Sequence, residues 1–228
     1  MLKRIFYIIL QRLYVLKNKS KPCQGKVYMF HNVNNEQDTY SIRKENFNSF
    51  IEYLVKNKKV VDIKTLIKEK DPDNVVITFD DVYASVFQNA YPILKEMGLP
   101  FYLFICDQYL NKENYVSSAM VREMLKNSKA ILGSHRMKHE LSRFADEEEI
   151  RKDMRDSKEK LEKEFDTKID AFAFPYGSIY ACSEQNIKDA TAQFDYVFMT
   201  YAIPYNEEYG NVIPRINMND LVYQGEMR

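Results

Sequence analysis

Only three histidines occur in the 228 residues, and two of them, His135 and His139, stand four apart. On one helical turn that spacing would point both rings the same way, and neutral imidazole is a good zinc ligand. Two adjacent carboxylates, Asp80 and Asp81, end an apolar run elsewhere in the chain. Neighbouring acids repel unless something uses them. One carboxylate added to two imidazoles makes a three-ligand site whose fourth position stays open for water, as a catalytic zinc needs. Each pattern has an ordinary alternative. His135 and His139 can be an exposed pair beside Arg136 and Lys138, and a lone Asp-Asp can cap a helix or close a turn. Their conjunction, each at the end of an apolar run, favours a metal site over these alternatives.

The elements around these residues explain how they could meet. Apolar runs predict strands over 26–30, 74–79, 101–105, 130–132, 171–174, 196–199 and 212–216. Residues 74–79 (NVVITF) are continuously apolar or β-branched, as in a strand buried on both faces. Helical spacing predicts helices over 47–56, 65–70, 91–97, 118–126, 146–165 and 183–193. Asp146 can cap the longest of these, and Glu149 suits a capping box. Strand and helix alternate, which implies parallel strands with helical crossovers. A doubly wound sheet and a barrel both fit. In either, the carboxyl ends of the strands share one face, where sites are built. His31, Asp80-Asp81, His135 and Pro175-Tyr176 each follow a strand directly, so residues distant in sequence would converge there.

Composition narrows the chemistry. Lys plus Arg equals Asp plus Glu at 33 each, which argues against nucleic acid as the main partner. There are six glycines and no glycine-rich phosphate loop, which disfavours nucleotide binding. No GxSxG elbow is present, which disfavours a Ser–His–Asp hydrolase. Cys23, Cys106 and Cys182 are odd in number and far apart, so free thiols and a reducing compartment are expected. The 17 tyrosines suit a carbohydrate cleft and an ordinary core equally.

Residues 1–25 read as a basic amphipathic helix and linker, and residues 26–228 as a catalytic domain. Leu2, Ile5, Phe6, Ile9, Leu13 and Leu16 form a helical stripe. Residues 1–26 hold seven basic residues and no acid; the remaining 26 basic and 33 acidic residues leave the rest of the chain at net −7. The apolar run is shorter than the about 20 residues of a membrane span, and no cleavage site follows it. Two readings stay open: a helix packed on the domain, or peripheral contact of residues 2–17 with an anionic membrane surface. A cytoplasmic monomer, with or without such contact at the inner face of the membrane, is the expectation.

At this point the chain resembles the polysaccharide deacetylases, the NodB-homology family. Thr78-Phe79-Asp80-Asp81 is similar to their TFDD motif, and Ser134-His135 to His139 to their SHxxxH motif. Phe172 to Gly177 is similar to FAxPYG, and Pro214-Arg215 to a late PR segment. The order matches across about residues 26 to 217. The resemblance implies a distorted (β/α)7-type barrel of parallel strands, here with the extra N-terminal helix. It implies a divalent metal, with Zn2+ expected, held by Asp81, His135 and His139. It implies Asp80 as general base, the Tyr176 backbone N–H at the oxyanion, and Arg215 orienting Asp80. The substrate would be an N-acetylated carbohydrate; the alternatives are another amide, or a degenerate domain that binds glycan or a partner protein without turnover. Two departures stand out. Val82 takes the place of the family's usual Gly after the two acids, and no His follows His139. The biofilm poly-N-acetylglucosamine deacetylases, nearest in motif layout, place the general acid early, which makes His31 in Tyr28-Met29-Phe30-His31 its counterpart.

Overall fold

The computed structural model describes residues 2–18, 20–35 and 39–226, with the side chains of residues 2–4 left aside. Along the chain run α1 (Leu2–Asn18), β1 (Lys26–Phe30), β2 (Asn32–Val33), β3 (Ser41–Ile42), α2 (Lys44–Asn57), β4 (Lys59–Val60), α3 (Ile63–Glu69) and β5 (Asn74–Asp80). A π-helical turn (Val86–Ala90) leads into α4 (Tyr91–Glu96), followed by β6 (Pro100–Ile105), α5 (Ser118–Asn127), β7 (Lys129–Ser134), α6 (Glu147–Phe165) and β8 (Ala171–Ala173). Then come α7 (Glu184–Thr191), β9 (Tyr196–Met199), a 3-10 turn (Glu207–Tyr209), β10 (Val212–Pro214), β11 (Ile216–Asn217) and α8 (Asp220–Glu226).

All main-sheet pairings are parallel, in the order β10-β9-β8-β7-β6-β5-β1-β11, with β4 added beside β5. The two ends of that order are consecutive in sequence, separated by Arg215 alone. The last strand, expected as one run over 212–216, therefore bends at Arg215. Its first half pairs with β9 and its second half with β1. This bend turns an open sheet into the expected barrel, nearly closed and ringed by helices.

Side-chain alternation sorts the strands into two layers. Val27, Val76, Tyr102, Phe104, Ala171, Ala173, Phe198 and Ile213 pack together inside the barrel. Tyr28, Phe30, Ile77, Phe79, Phe101, Leu103, Phe172 and Val197 face the helices. Both faces are buried, which is why the strands read as continuous apolar runs. Asp80 continues the inward column of Val76 and Thr78, and Arg215 that of Ile213, so both reach the carboxyl end of the barrel lumen.

Asp146 caps α6 as expected, but the reciprocal capping box expected there with Glu149 does not form. Asp146 accepts the N–H groups of Glu148 and Glu149 at the start of α6, while a reciprocal capping box forms at Ser183 and Asn186.

Helix α1 packs on the domain, but not through its apolar stripe. Gln11 donates to Thr200 O and accepts from Ile179 N, and the Tyr14 ring lies 5.0 Å from that of Tyr201. Ile5, Phe6, Ile9, Leu13 and Leu16 face outward; Leu2 of the expected stripe and the side chains of Lys3, Arg4 and Lys19 lie outside the described part. Among the described residues no helix is long and apolar enough to cross a membrane.

Candidate active site

Adjacent residues of an extended strand point to opposite faces, so two neighbouring carboxylates cannot both enter one cavity without a break. The break is at Asp81 and Val82, which take φ of 58° and 45° just after β5. Left-handed backbone is costly for a β-branched residue, of order 1–2 kcal/mol. Val82 occupies it because its side chain is fully buried in the core and its carbonyl accepts from Val116 N. Val82 does not line the cavity, so the departure from Gly leaves the mouth of the site open.

His135 and His139 meet by a route the sequence did not suggest. Residues 135–139 form a loop, not a helical turn. Arg136, at φ 69°, is only 2% exposed and sends Nε and Nη2 to the two oxygens of Asp153 on α6, both at 3.1 Å. Its Nη1 donates to Glu140 O and Ser142 Oγ, and Met137 N donates to Asp153. This buried guanidinium folds the loop around itself and brings the two rings within 5.4 Å, centroid to centroid.

The outcome is a compact donor set. Asp81 Oδ1 lies 3.7 Å from His135 Nε2 and 3.5 Å from His139 Nε2. A tetrahedral cation with bonds near 2 Å separates its ligand atoms by roughly 3.3 Å. Asp81 Oδ1 is buried with no hydrogen-bond partner, an arrangement that costs free energy unless a cation takes the lone pair. His135 Nδ1–H donates to Ala173 O at 2.7 Å, which fixes the tautomer and leaves the Nε2 lone pair facing Asp81. The three residues expected as ligands therefore fit a divalent cation, and among the described residues they are the group that could hold one.

Asp80 is treated differently from its neighbour. Arg215, fully buried, donates Nη1 to Oδ1 at 2.6 Å and Nη2 to Oδ2 at 2.7 Å, and packs against the rings of Phe104 and Phe198. Burial pushes the Asp80 carboxyl up, but the Arg215 charge and hydrogen bonds outweigh it and leave about 2. Asp81 has no such partner, and burial followed by the Asp80 charge raises it to about 8. Burial lowers His135 to about 3 and lowers His139 as well. Without a cation the site thus holds one carboxylate, one neutral acid and two neutral imidazoles.

These groups line a cavity of about 340 Å3 with His31, Tyr40, Tyr176 and Asn217. His31 leaves the end of β1 and packs edge-on against Tyr40, at 5.4 Å. The next residues are held by Ser85 Oγ, which accepts from Val33 N, and by Asn89 Nδ2, which donates to Val33 O. Tyr176 sits at φ 63° with its ring edge-on to His139 at 4.6 Å. Gly177 beside it has φ 47°, and its carbonyl accepts from Thr200 N at 2.7 Å. A Cβ there would stand 2.7 Å from Thr200 Oγ1, so glycine alone seats this turn against β9.

An aromatic wall of tyrosines lines one side of the cavity. Tyr83 stacks on Tyr115 at 4.7 Å, and Tyr115 on Tyr109 at 4.4 Å, leading to His139. The loop after β5 pairs with residues 114–116 to build it. Tyrosine abundance was the one hint in the sequence. No spacing rule links residues in two separate loops.

A family model described as polysaccharide deacetylase matches residues 67–198, more than half of the chain. A poly-beta-1,6-N-acetyl-D-glucosamine N-deacetylase of Staphylococcus aureus is 29% identical over 218 residues, covering 87% of this chain and 74% of that protein. Among solved structures, IcaB from Ammonifex degensii superposes with a TM-score of 0.79 at 19% identity, covering 90% of this chain and 95% of that one. The Streptococcus pyogenes deacetylase PplD, in complex with acetate, superposes with a TM-score of 0.75 at 17% identity, covering 85% and 91%. Both structural likenesses concern the fold.

Proposed function

Because this chain belongs to the polysaccharide deacetylase family, hydrolases acting on carbon–nitrogen bonds, we propose that it removes N-acetyl groups from a carbohydrate with the help of a divalent cation. The observation that carries this reading is the pairing of two unlike carboxylates: Asp81, partnerless between two imidazoles, beside Asp80, clamped by Arg215. Asp81, His135 and His139 would hold the cation, and two nitrogens with one oxygen favour Zn2+. Bound there, it supplies polarisation of the amide carbonyl and acidification of the attacking water, which lets a carboxylate of low basicity act as base.

The remaining steps fall to the protein. Arg215 keeps Asp80 ionised and oriented, and Asp80 takes the proton from the attacking water. The Tyr176 N–H donates to the oxyanion as it forms. His31, as imidazolium, gives a proton to the departing nitrogen, so that acetate and a free amine leave. The wall of Tyr83, Tyr115 and Tyr109 offers ring faces to the sugar. The Staphylococcus aureus relatives favour β-1,6-linked poly-N-acetylglucosamine as the polymer.

The test is acetate release from N-acetylated oligosaccharides, measured together with metal content. Turnover on β-1,6-linked N-acetylglucosamine with one cation per chain is the expected result. A stoichiometric cation with no hydrolysis of any acetylated sugar would replace this reading with that of a glycan-binding domain.

A further inference from the structure

We propose that the outer face of α1 is a docking surface for an anionic lipid bilayer. The helix is turned opposite to what stability alone would choose. A surface helix normally buries its apolar stripe and leaves polar residues in water. Here the inner face is made of Tyr7, Gln11, Tyr14 and Val15, of which Tyr14 and Val15 pack against the core. Gln11 is pinned to Thr200 O and Ile179 N, Tyr14 packs on Tyr201, and Tyr7 packs on Tyr180 beneath the Arg143 guanidinium. The outer face is Ile5, Phe6, Ile9, Leu13 and Leu16, each 49 to 66% exposed. Phe144, 55% exposed, lies edge-on to Tyr180, the ring on which Tyr7 packs. A contiguous exposed patch of large apolar side chains marks a surface that meets a partner.

Charge selects the partner. Lys3, Arg4, Arg12, Lys17, Lys19, Lys21 and Lys26 fall within residues 1–26 without an acid, while the rest of the chain is net −7; Lys21 and Lys26, beyond α1, pair with Glu208 and Glu226 of the body. Arg12 and Lys17 are exposed on α1 itself. An apolar stripe rimmed by cations on an acidic body fits an anionic headgroup layer, with acyl chains meeting the stripe and the body turned away. A second copy of the chain would instead set two basic helices against each other, at a cost in like-charge repulsion. The placement also bears on the site. Gln11 holds Thr200, which lines the candidate catalytic cavity, and Ile8 lines a neighbouring hollow with Tyr176. Docking through α1 would fix the height and tilt of the cavity mouth above the bilayer.

The experiment is flotation of the full chain with vesicles of phosphatidylcholine and phosphatidylglycerol, against phosphatidylcholine alone. Binding to the anionic vesicles, weakened by salt, is expected. Arg12→Gln and Lys17→Gln should each weaken it about 5-fold. Ile9→Ser with Leu13→Ser should abolish it while thermal unfolding stays unchanged, because both side chains are already in water. The proposal is overturned if the chain does not float with anionic vesicles, or if the doubly substituted chain floats as well as the parent. It is equally overturned if light scattering shows a dimer that the same double substitution disperses while vesicle binding is missing.

Discussion

Arg215 holds both carboxylate oxygens of Asp80, at 2.6 and 2.7 Å, across 135 positions of sequence, from the bend where the last strand closes the barrel. Closure of the fold and orientation of the proposed general base are thus one contact. Arg215→Met should leave a buried carboxylate unpaired and cost about 3–5 kcal/mol, read from denaturant unfolding. The pair also sets an acid limb. The folded Asp80 titrates near 2, below its ordinary 3.8. It therefore contributes roughly 2 kcal/mol that is fully present above about pH 4 and is lost as pH falls through 2. That limb should vanish in Arg215→Met; its persistence would show that Asp80 is not the group responsible.

Removing the proposed base and removing a proposed ligand should separate cleanly. Asp80→Asn keeps an acceptor for Arg215 and leaves Asp81, His135 and His139 untouched. It should retain the cation and lose about 10²–10⁴-fold in acetate release. His135→Ala should lose both cation and turnover. Full activity in Asp80→Asn would end its assignment as base.

Cation uptake should be coupled to a proton. Metal-free Asp81 is held near 8 by burial and by the Asp80 charge, so at pH 7 it is mostly neutral and must lose its proton to become a ligand. Affinity should fall by about tenfold for each unit below pH 8. His135, lowered to about 3, adds nothing to this dependence at neutral pH. Calorimetry in buffers of different protonation enthalpy at pH 7 should count close to one proton released, and none at pH 9.5 or so. A pH-independent affinity would remove Asp81 from the ligand set.

The loop carrying His139 depends on a partner far from the cavity. Asp153→Ala strips Arg136 of both carboxylate contacts while Asp81, His135 and His139, the proposed ligands, are unchanged in sequence. Competition with a chelator should show about 10–100-fold weaker cation binding. Asp153→Glu should recover part of it. Unchanged affinity in Asp153→Ala would mean that the loop is held by its other hydrogen bonds.

The sequence by itself determined the main strands of the barrel, their parallel arrangement and the convergence of Asp80, Asp81, His135, Tyr176 and His31, while the short β2, β3 and β4 were not legible in it. Runs such as NVVITF end at polar residues, and parallel strands put such ends on one edge whatever the details. Only the tertiary structure decided how these residues face one another. The histidine spacing suggested a helical turn, yet the buried Arg136–Asp153 pair imposes a loop, a contact no local pattern encodes. One run over 212–216 looked like a single strand, but the barrel needs it bent at Arg215 to pair on both sides. The stripe on α1 was legible as a stripe, while its direction was not. Periodicity reports that a helix has two faces; which face the domain takes is decided by partners such as Thr200, Ile179 and Tyr201, distant in sequence.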